Sequence, residues 1–344
     1  MKIIDMHCDT IYEILEAQKR GEHIDLRKNY LMVDLEKMKS SGYSVQNFAL
    51  YIEQEEGVHS FEKVQALLKV FKEQMLAQAD RVSQVTTTQE IIENERIGKM
   101  SALLTVEGGE ACEGSLEKLQ FLYEQGVRMM TLTWNFQNEI GYPNFRSEKE
   151  WNKPDVENGL TKFGIQLVEE MEHLGMIVDV SHLSDAGFYN VLQYTKKPFV
   201  ASHSNARSVC PHVRNLTDDM IQKLAERGGV IGLNYHSKFL MEAYNLSDVA
   251  EYKNADTKKA VGKFTKEDVL EQIARHAKYI TNLGGMECLG LGSDFDGIPS
   301  YHGMPRMEDM EQLADVLQRN GFHESEIEKI FYQNVFRLYK DVLG

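Results

Sequence analysis

Short hydrophobic runs of strand length recur along the whole chain, and segments with helical periodicity separate them. The runs are nearly continuous in apolar residues instead of alternating with polar ones, which is typical of parallel strands that are covered on both faces. We count eight such runs, at residues 3–9, 44–52, 101–108, 128–134, 176–182, 199–204, 229–235 and 288–294.

The segments between the runs carry helix signals. Residues 160–174 place apolar side chains on one helical face, and Gly175 follows where a helix commonly ends in a left-handed residue. Thr265 with Asp268 three residues later has the pattern of a capping box. From Glu308 onward we expect two or three further helices. Strands that alternate with helices predict a parallel sheet, either closed into a barrel or open and doubly wound.

The count of eight strands and the length of 344 residues favour a closed (β/α)8 barrel of the TIM type, with extra helices at the carboxyl end. No GxGxxG pattern lies at the first strand–helix turn, which disfavours a dinucleotide-binding sheet. We find no linker, and predict a single domain over residues 1–344. The connections 135–158 and 236–264 are long for this fold, and loops of this kind commonly recognise substrate or close over a site.

Composition narrows the range of partners and compartments. The formal net charge of −15 argues against binding to nucleic acid or to anionic membranes. No apolar run is long enough to span a bilayer, and charged residues come too early for a signal peptide. The four cysteines are widely spaced without a CxxC pair, as expected for buried thiols in a reducing compartment. We therefore expect a cytoplasmic protein.

Six histidine and carboxylate side chains fall at the ends of predicted strands. Taken singly, each of them is more often a hydrogen-bonded core residue or a surface acid than a ligand. In a parallel barrel, however, these strand ends all face one mouth, where barrel active sites lie. We therefore expect the six to converge in one site: His7, Asp9, Glu107, His182, His203 and Asp294.

The residue types in this set indicate a metal site. His7 and Asp9 are two residues apart and point to the same side of a strand, and zinc binds imidazole and carboxylate together. Glu107 is followed by two glycines and is available to bridge two ions. Five donors with a shared Glu107 would leave room for a hydroxide between the metals. Asp294 is then the natural general base and acid.

The motifs that contain these residues resemble the membrane (renal) dipeptidase family of zinc metallopeptidases, particularly its soluble bacterial members. The resemblance runs through essentially the whole chain and depends on the order of the motifs. They are HCDT at 7–10, VEGG at 106–109, MTLT at 130–133, VDVSHLS at 178–184, ASHSNARSV at 201–209, RNLTDD at 214–219 and GSDFDG at 292–297.

The resemblance implies an amidohydrolase-like barrel with two Zn²⁺ ions per chain, a free dipeptide as substrate and often a homodimer. His7, Asp9 and Glu107 would hold one zinc, and Glu107, His182 and His203 the other. By the same resemblance, Asp294 would carry the proton from the attacking hydroxide to the leaving amine. Arg214 would bind the terminal carboxylate of the substrate. The family also suggests tolerance of a D-residue at the carboxyl side.

One position departs from the family pattern. Members often carry a histidine just after the fourth strand, where this chain has Trp134. An indole N–H can donate a hydrogen bond but cannot carry positive charge. We expect Trp134, Asn135 or Asn138 to contact the substrate instead, unless the metals take over more of the transition-state stabilisation.

Two other functions stay open at the level of sequence. The first is a different amidohydrolase-type metal hydrolase or a deaminase. Enzymes of this group in which a modified lysine bridges two metals are disfavoured, because the fourth strand ends without lysine. A deaminase with a single metal is not excluded. A non-catalytic barrel that binds small peptides is the alternative of another class. The complete set of acidic and histidine ligands argues against it, because buried acids without a metal would be costly.

Overall fold

A computed structural model describes residues 1–54, 58–248 and 264–344, so most of the predicted loop 236–264 lies outside the described residues. Within the described residues, nine parallel strands form one sheet. They are β1 (Ile3–Asp5), β2 (Tyr43–Tyr51), β3 (Val82–Val85), β4 (Met100–Glu107), β5 (Val127–Thr131), β6 (Ile177–Asp179), β7 (Val200–Ala201), β8 (Val230–Leu233) and β9 (Leu289–Leu291).

Eight of these strands close into a barrel. The order β2-β1-β9-β8-β7-β6-β5-β4 is completed by pairing between β2 and β4, from Val45 with Ser101 to Tyr51 with Glu107. Each of the eight predicted runs overlaps one barrel strand, with starts that agree to within one residue, and helices surround the sheet. The predicted (β/α)8 architecture is therefore confirmed.

The strand β3 was not predicted. It pairs with Met100–Leu103 at the beginning of β4, while Leu104–Glu107 on the same strand pairs with β5. This ninth strand thus extends the sheet at the end of the barrel opposite the mouth. Its four residues, Val-Ser-Gln-Val, are too few and too polar to stand out as a hydrophobic run.

The helices connect successive strands, and three examples show the signals that fix helix ends. Thr217 and Thr265 cap the helices that begin at Asp218 and Lys266, the latter with the predicted capping box, and Gly175 ends the helix Lys162–Leu174 with a φ of 76°. The described helices are α1 (Thr10–Lys19), α2 (Leu35–Ser41), α3 (Ser60–Ala77), α4 (Thr88–Arg96), α5 (Leu116–Glu124), α6 (Lys162–Leu174), α7 (Asp185–Tyr194), α8 (Asp218–Glu226), α9 (Ser237–Leu240), α10 (Glu242–Asp248), α11 (Lys266–Gly284), α12 (Met310–Arg319), α13 (Glu324–Glu328) and α14 (Asn334–Leu343). None of these helices is both long and apolar enough to cross a bilayer.

An apolar cluster closes the floor of the barrel beneath the mouth. It contains one residue from each of seven barrel strands, and the last helix, α14, packs against it through Val335, Leu338 and Tyr339. The strand residues are Ile4, Val45, Leu103, Met129, Ile177, Val200 and Val230. Polar side chains at the opposite end of the barrel therefore stand on a water-free, rigid base.

Candidate metal centre

The strands end earlier than predicted, and most of the predicted site residues lie just beyond them. Glu107 is the last residue of β4, whereas the other five follow the ends of β1, β6, β7 and β9 by two to four residues. All six side chains are buried at the mouth of the barrel. Short loops on the rim of a rigid sheet therefore hold the site.

Glu107 lies at the centre of the five predicted metal ligands, with one carboxylate oxygen toward each half of the set. Its Oε2 lies 3.4 Å from His7 Nε2, and Asp9 Oδ2 lies 3.3 Å from the same nitrogen. Its Oε1 lies 3.0 Å from His182 Nε2 and 3.5 Å from His203 Nε2. Two groups of three donors, each compact enough for one ion, therefore share Glu107.

Asp294 lies beside this cluster. Its Oδ1 is 3.7 Å from His7 Nε2, and together with His7 and His203 it forms a third group compact enough for an ion. Its Oδ2 accepts a hydrogen bond of 2.9 Å from the side-chain amide of Asn234. Burial, reinforced by the charge of Asp9 and opposed by His7, raises the pKa of Asp294. Burial therefore makes this carboxyl group easier to protonate than an exposed aspartate.

Two of the site residues have left-handed backbone conformations. The φ angles are 70° at His182 and 65° at Asp294, and Asp296 nearby has a φ of 66°. For a residue with a Cβ this conformation is strained by about 1–2 kcal/mol. Strain of this kind is concentrated at functional sites, where the surrounding structure holds it in place.

His182 and His203 are buried beside Glu107, and their Nε2 atoms both face its Oε1. Asn135 Oδ1 lies 2.8 Å from His182 Nδ1, so the tautomer that satisfies the amide oxygen donates from Nδ1. Burial lowers the pKa of both His182 and His203 well below the usual value. Their Nε2 atoms are 3.0 Å apart. Nitrogen atoms this close to each other and to a carboxylate are suited to binding one cation together.

The charges and unpartnered atoms of Glu107, His7 and Asp9 also favour a bound cation. Burial raises the pKa of Glu107 to about 7. Burial opposes charge on His7 as well, but Glu107 and Asp9 outweigh it and raise the pKa of His7 well above its usual value. The Nδ1 of His7 and the Oδ1 of Asp9 are buried and without a hydrogen-bond partner among the described residues. A buried set of nitrogen and oxygen donors of this kind fits zinc.

A pocket of about 170 Å³ opens onto the cluster and is lined by Arg214, Trp134 and Asn135. Arg214 is only 4% exposed, and its Nη2 donates to the main-chain oxygen of His203 at 3.3 Å. Burial lowers the pKa of Arg214 to about 10, so the guanidinium stays charged at neutral pH. Because the structure gives it no ion pair within the described ranges, this buried cation is available for a ligand's carboxylate.

The three candidates for the missing family histidine have different surroundings. Trp134 packs edge-on against Tyr51, with ring centroids 5.1 Å apart, and forms a wall of the pocket. Asn135 lines the pocket and also binds His182, a contact that the sequence did not predict. Asn138 is not among the pocket's lining residues, because its amide donates to Glu110 and to the main-chain oxygen of Leu132.

His212 and His236 also line the pocket. Burial lowers the pKa of His212 to about 2 and that of His236 to about 3, so both rings are neutral. Asp296 faces away from the cluster. Its carboxylate accepts from Thr10 Oγ1 and from the main-chain N–H of Met32, each at 2.7 Å, and so ties a neighbouring loop to the barrel.

Sequence reasoning missed two buried carboxylates beneath the site. Asp5, the last residue of β1, accepts from the main-chain N–H groups of His7 and Ser293, both at 3.1 Å. Asp179, the last residue of β6, accepts from those of Ser181 and Ser202, at 3.0 and 2.9 Å. The signal that the sequence offers is an aspartate two or three residues before a histidine predicted to be a ligand.

Comparison with known proteins agrees with this geometry. The sequence profile described as "Membrane dipeptidase (Peptidase family M19)" matches residues 1–343. An uncharacterized dipeptidase of Schizosaccharomyces pombe is 29% identical, over 98% of this chain and 80% of its own length.

Solved structures with the same fold cover the whole chain. The crystal structure of dipeptidase AC, a metallopeptidase, is 25% identical with a TM-score of 0.86, covering 100% of this chain and 99% of that one. A metallopeptidase of Rhodobacter sphaeroides, crystallised with a phosphinate mimic of L-Ala-D-Ala, is 24% identical, also with a TM-score of 0.86, over 99% of each chain.

Proposed function

Because the chain belongs to the membrane dipeptidase family of metallopeptidases, peptidase family M19, we propose that it is a binuclear zinc enzyme that hydrolyses free dipeptides, including those with a D-residue at the carboxyl end. The observation that carries this proposal is the position of Glu107. Its two oxygens face two separate groups of donors at 3.0–3.5 Å. A carboxylate so placed is suited to bridging two ions.

The proposed ligands divide into two overlapping sets. His7, Asp9 and Glu107 would hold one zinc, and Glu107, His182 and His203 would hold the second. When bound, such ions supply a nucleophilic water at neutral pH and polarise the scissile carbonyl. The rigid apolar floor and the short loops keep the donors in place before any ion binds.

The remaining chemistry depends on side chains of the chain itself. Asp294 takes a proton from the nucleophile and delivers it to the leaving amine, and the hydrogen bond from Asn234 orients its carboxylate. Arg214 binds the terminal carboxylate of the dipeptide through its guanidinium. Trp134 and Asn135 contact the substrate at the pocket wall. Since Arg214 recognises a free carboxylate, the proposal predicts that longer peptides with a distant terminus are poor substrates.

The test is hydrolysis of L-Ala-D-Ala, L-Ala-D-Glu and L-Ala-L-Ala by protein of measured zinc content. We expect cleavage at two zinc ions per chain, and its loss in His203→Ala. The exposed His173 provides a matched control, because His173→Ala makes the same change away from the pocket. Absence of cleavage from protein that holds two zinc ions would refute the dipeptidase and favour another substrate.

We also propose a cytoplasmic location and a homodimer. All four cysteines are buried and unpaired, as a reducing compartment would leave them. Cell fractionation tests the location, and light scattering coupled to size-exclusion chromatography tests the dimer. Recovery of the protein outside the cytoplasm, or a monomeric mass, would refute the respective proposal.

A further inference from the structure

His203 is attached on the side away from the cluster to a buried chain of hydrogen bonds. Its Nδ1 lies 2.7 Å from Ser202 Oγ. Ser202 Oγ in turn donates to Asp179 Oδ2 at 2.5 Å. His203, Ser202 and Asp179 are each 0% exposed, so no water competes for these bonds. A carboxylate therefore reaches a predicted metal ligand through one hydroxyl.

The direction of the protons follows from counting donors. Asp179 receives two main-chain N–H groups on Oδ1, which can only donate. Its Oδ2 receives the hydroxyls of Ser202 and Thr131, the latter at 2.6 Å. Ser202 has one hydroxyl proton, which is directed to the carboxylate. Its oxygen must then accept from His203 Nδ1–H, and this leaves His203 Nε2 with a lone pair that faces Glu107.

The two histidines of the second proposed zinc set are thus supported unequally. His182 Nδ1 donates to the neutral amide oxygen of Asn135, 2.8 Å away. His203 donates toward a carboxylate, and negative charge behind an imidazole makes its other nitrogen a stronger donor to a metal. Asn135 belongs to a pocket loop, whereas Asp179 ends a barrel strand. The support of His203 is both more charged and more rigid.

We propose that Asp179, acting through Ser202, is a positioning residue that fixes the tautomer and orientation of His203 and thereby strengthens the second zinc site. The inference rests on the proposed function, because it assumes that Glu107, His182 and His203 bind a metal. It adds two residues to the site that neither contact the substrate nor bind the ion.

Two hydroxyl groups donate to Asp179 Oδ2, and only that of Ser202 also contacts His203. Removing each in turn distinguishes support of His203 from a general structural role of Asp179. Ser202→Ala removes the bond that leads to His203 and leaves the two main-chain bonds to Asp179 in place. Thr131→Val is the matched control, because it removes the other hydroxyl from the same oxygen without a contact to His203. Asp179→Asn is the second test, because it replaces the carboxylate at the far end of the hydrogen-bond chain.

The experiment measures zinc affinity by competition with a chelator, and follows Co²⁺ binding by its visible absorption. We expect Ser202→Ala and Asp179→Asn each to weaken one of two zinc sites by about 10- to 100-fold, the usual effect of losing such support. Thr131→Val is expected to keep both affinities. When both substitutions are combined, the loss of zinc affinity should not exceed that of the worse single variant. Both changes interrupt the same chain of hydrogen bonds.

Three results would contradict different parts of the reasoning. Unchanged zinc affinities in Ser202→Ala, with an unchanged melting temperature as proof of folding, would refute the proposal that Asp179 supports His203 through Ser202. Equal losses in Ser202→Ala and Thr131→Val would also overturn it, since Asp179 would then be only a structural support. Wild-type protein that binds no zinc would instead overturn the proposed function on which the relay rests.

Discussion

Replacement of Arg214 by methionine is expected to remove the preference for substrates with a free terminal carboxylate. The guanidinium is 4% exposed beside the cluster, so a bound carboxylate would meet it out of water. Opposite charges about 4 Å apart attract by about 4 kcal/mol at an effective dielectric constant of about 20. Loss of one partner of a buried charge pair typically costs about 2–5 kcal/mol.

The loss of about 2–5 kcal/mol predicts that kcat/KM for L-Ala-D-Ala falls by about 30- to 4000-fold in Arg214→Met. The assay compares the dipeptide with its carboxyl-terminal amide in both proteins. Wild-type enzyme should prefer the acid by a similar factor, whereas the variant should prefer neither. Because the amide differs at the carboxylate alone, this comparison isolates the proposed contact from general damage.

Two controls accompany the measurement. Zinc content and melting temperature should match those of the wild type, since Arg214 is not among the proposed ligands. Arg275→Met makes the same substitution at an exposed position of α11 and should leave both substrates unaffected. If Arg214→Met still favoured the acid over the amide as strongly as the wild type, the carboxylate would be bound elsewhere and the reasoning refuted.

Three further predictions address the metals, the proton carrier and stability. Chelation of the metals should abolish hydrolysis and lower the melting temperature, and added Zn²⁺ should restore both; activity that survives complete removal would contradict the proposal. Asp294→Asn should lower kcat by about 10²- to 10⁴-fold at unchanged zinc content, whereas a parallel loss of zinc would make Asp294 a ligand. Burial raises the pKa of Glu110 from 4.5 to about 8, so the folded chain keeps a proton that the unfolded chain releases, and stability should fall as pH rises between these values. Glu110→Gln should remove part of that decline in melting temperature between pH 5 and 8, and a constant difference from the wild type would contradict it.

The barrel and the convergence of the site were predictable because both depend on patterns with a fixed period. Near-continuous apolar runs mark parallel strands, and parallel strands in a closed sheet end on one side. His7, Glu107, His203 and Asp294 could therefore be placed together without knowing any distance. Among the strands in the described part of the chain, only the short, half-polar Val82–Val85 lacked such a pattern.

The surroundings of the site residues were not predictable, because they depend on side-chain directions in loops. Asn135 lies 47 positions from His182 in the chain, and nothing in its local sequence indicates the hydrogen bond between them. Asp179 lies in the middle of the predicted run 176–182, and its contact with Ser202 depends on the register between β6 and β7. Similarly, the turn of Asp296 toward Thr10 follows from its backbone conformation, which the alternation of a strand does not predict.

Because Asp294 has a left-handed backbone conformation, we expect a substitution that raises thermal stability at this position to lower activity. Glycine adopts this backbone without the Cβ strain of about 1–2 kcal/mol, which exceeds the roughly 0.5–1 kcal/mol by which its extra freedom usually destabilises a fold. It would also remove a buried carboxyl group that crowds other acids. Directed evolution that rewards only thermal tolerance would therefore tend to lose the proton carrier, and turnover has to be part of any such selection.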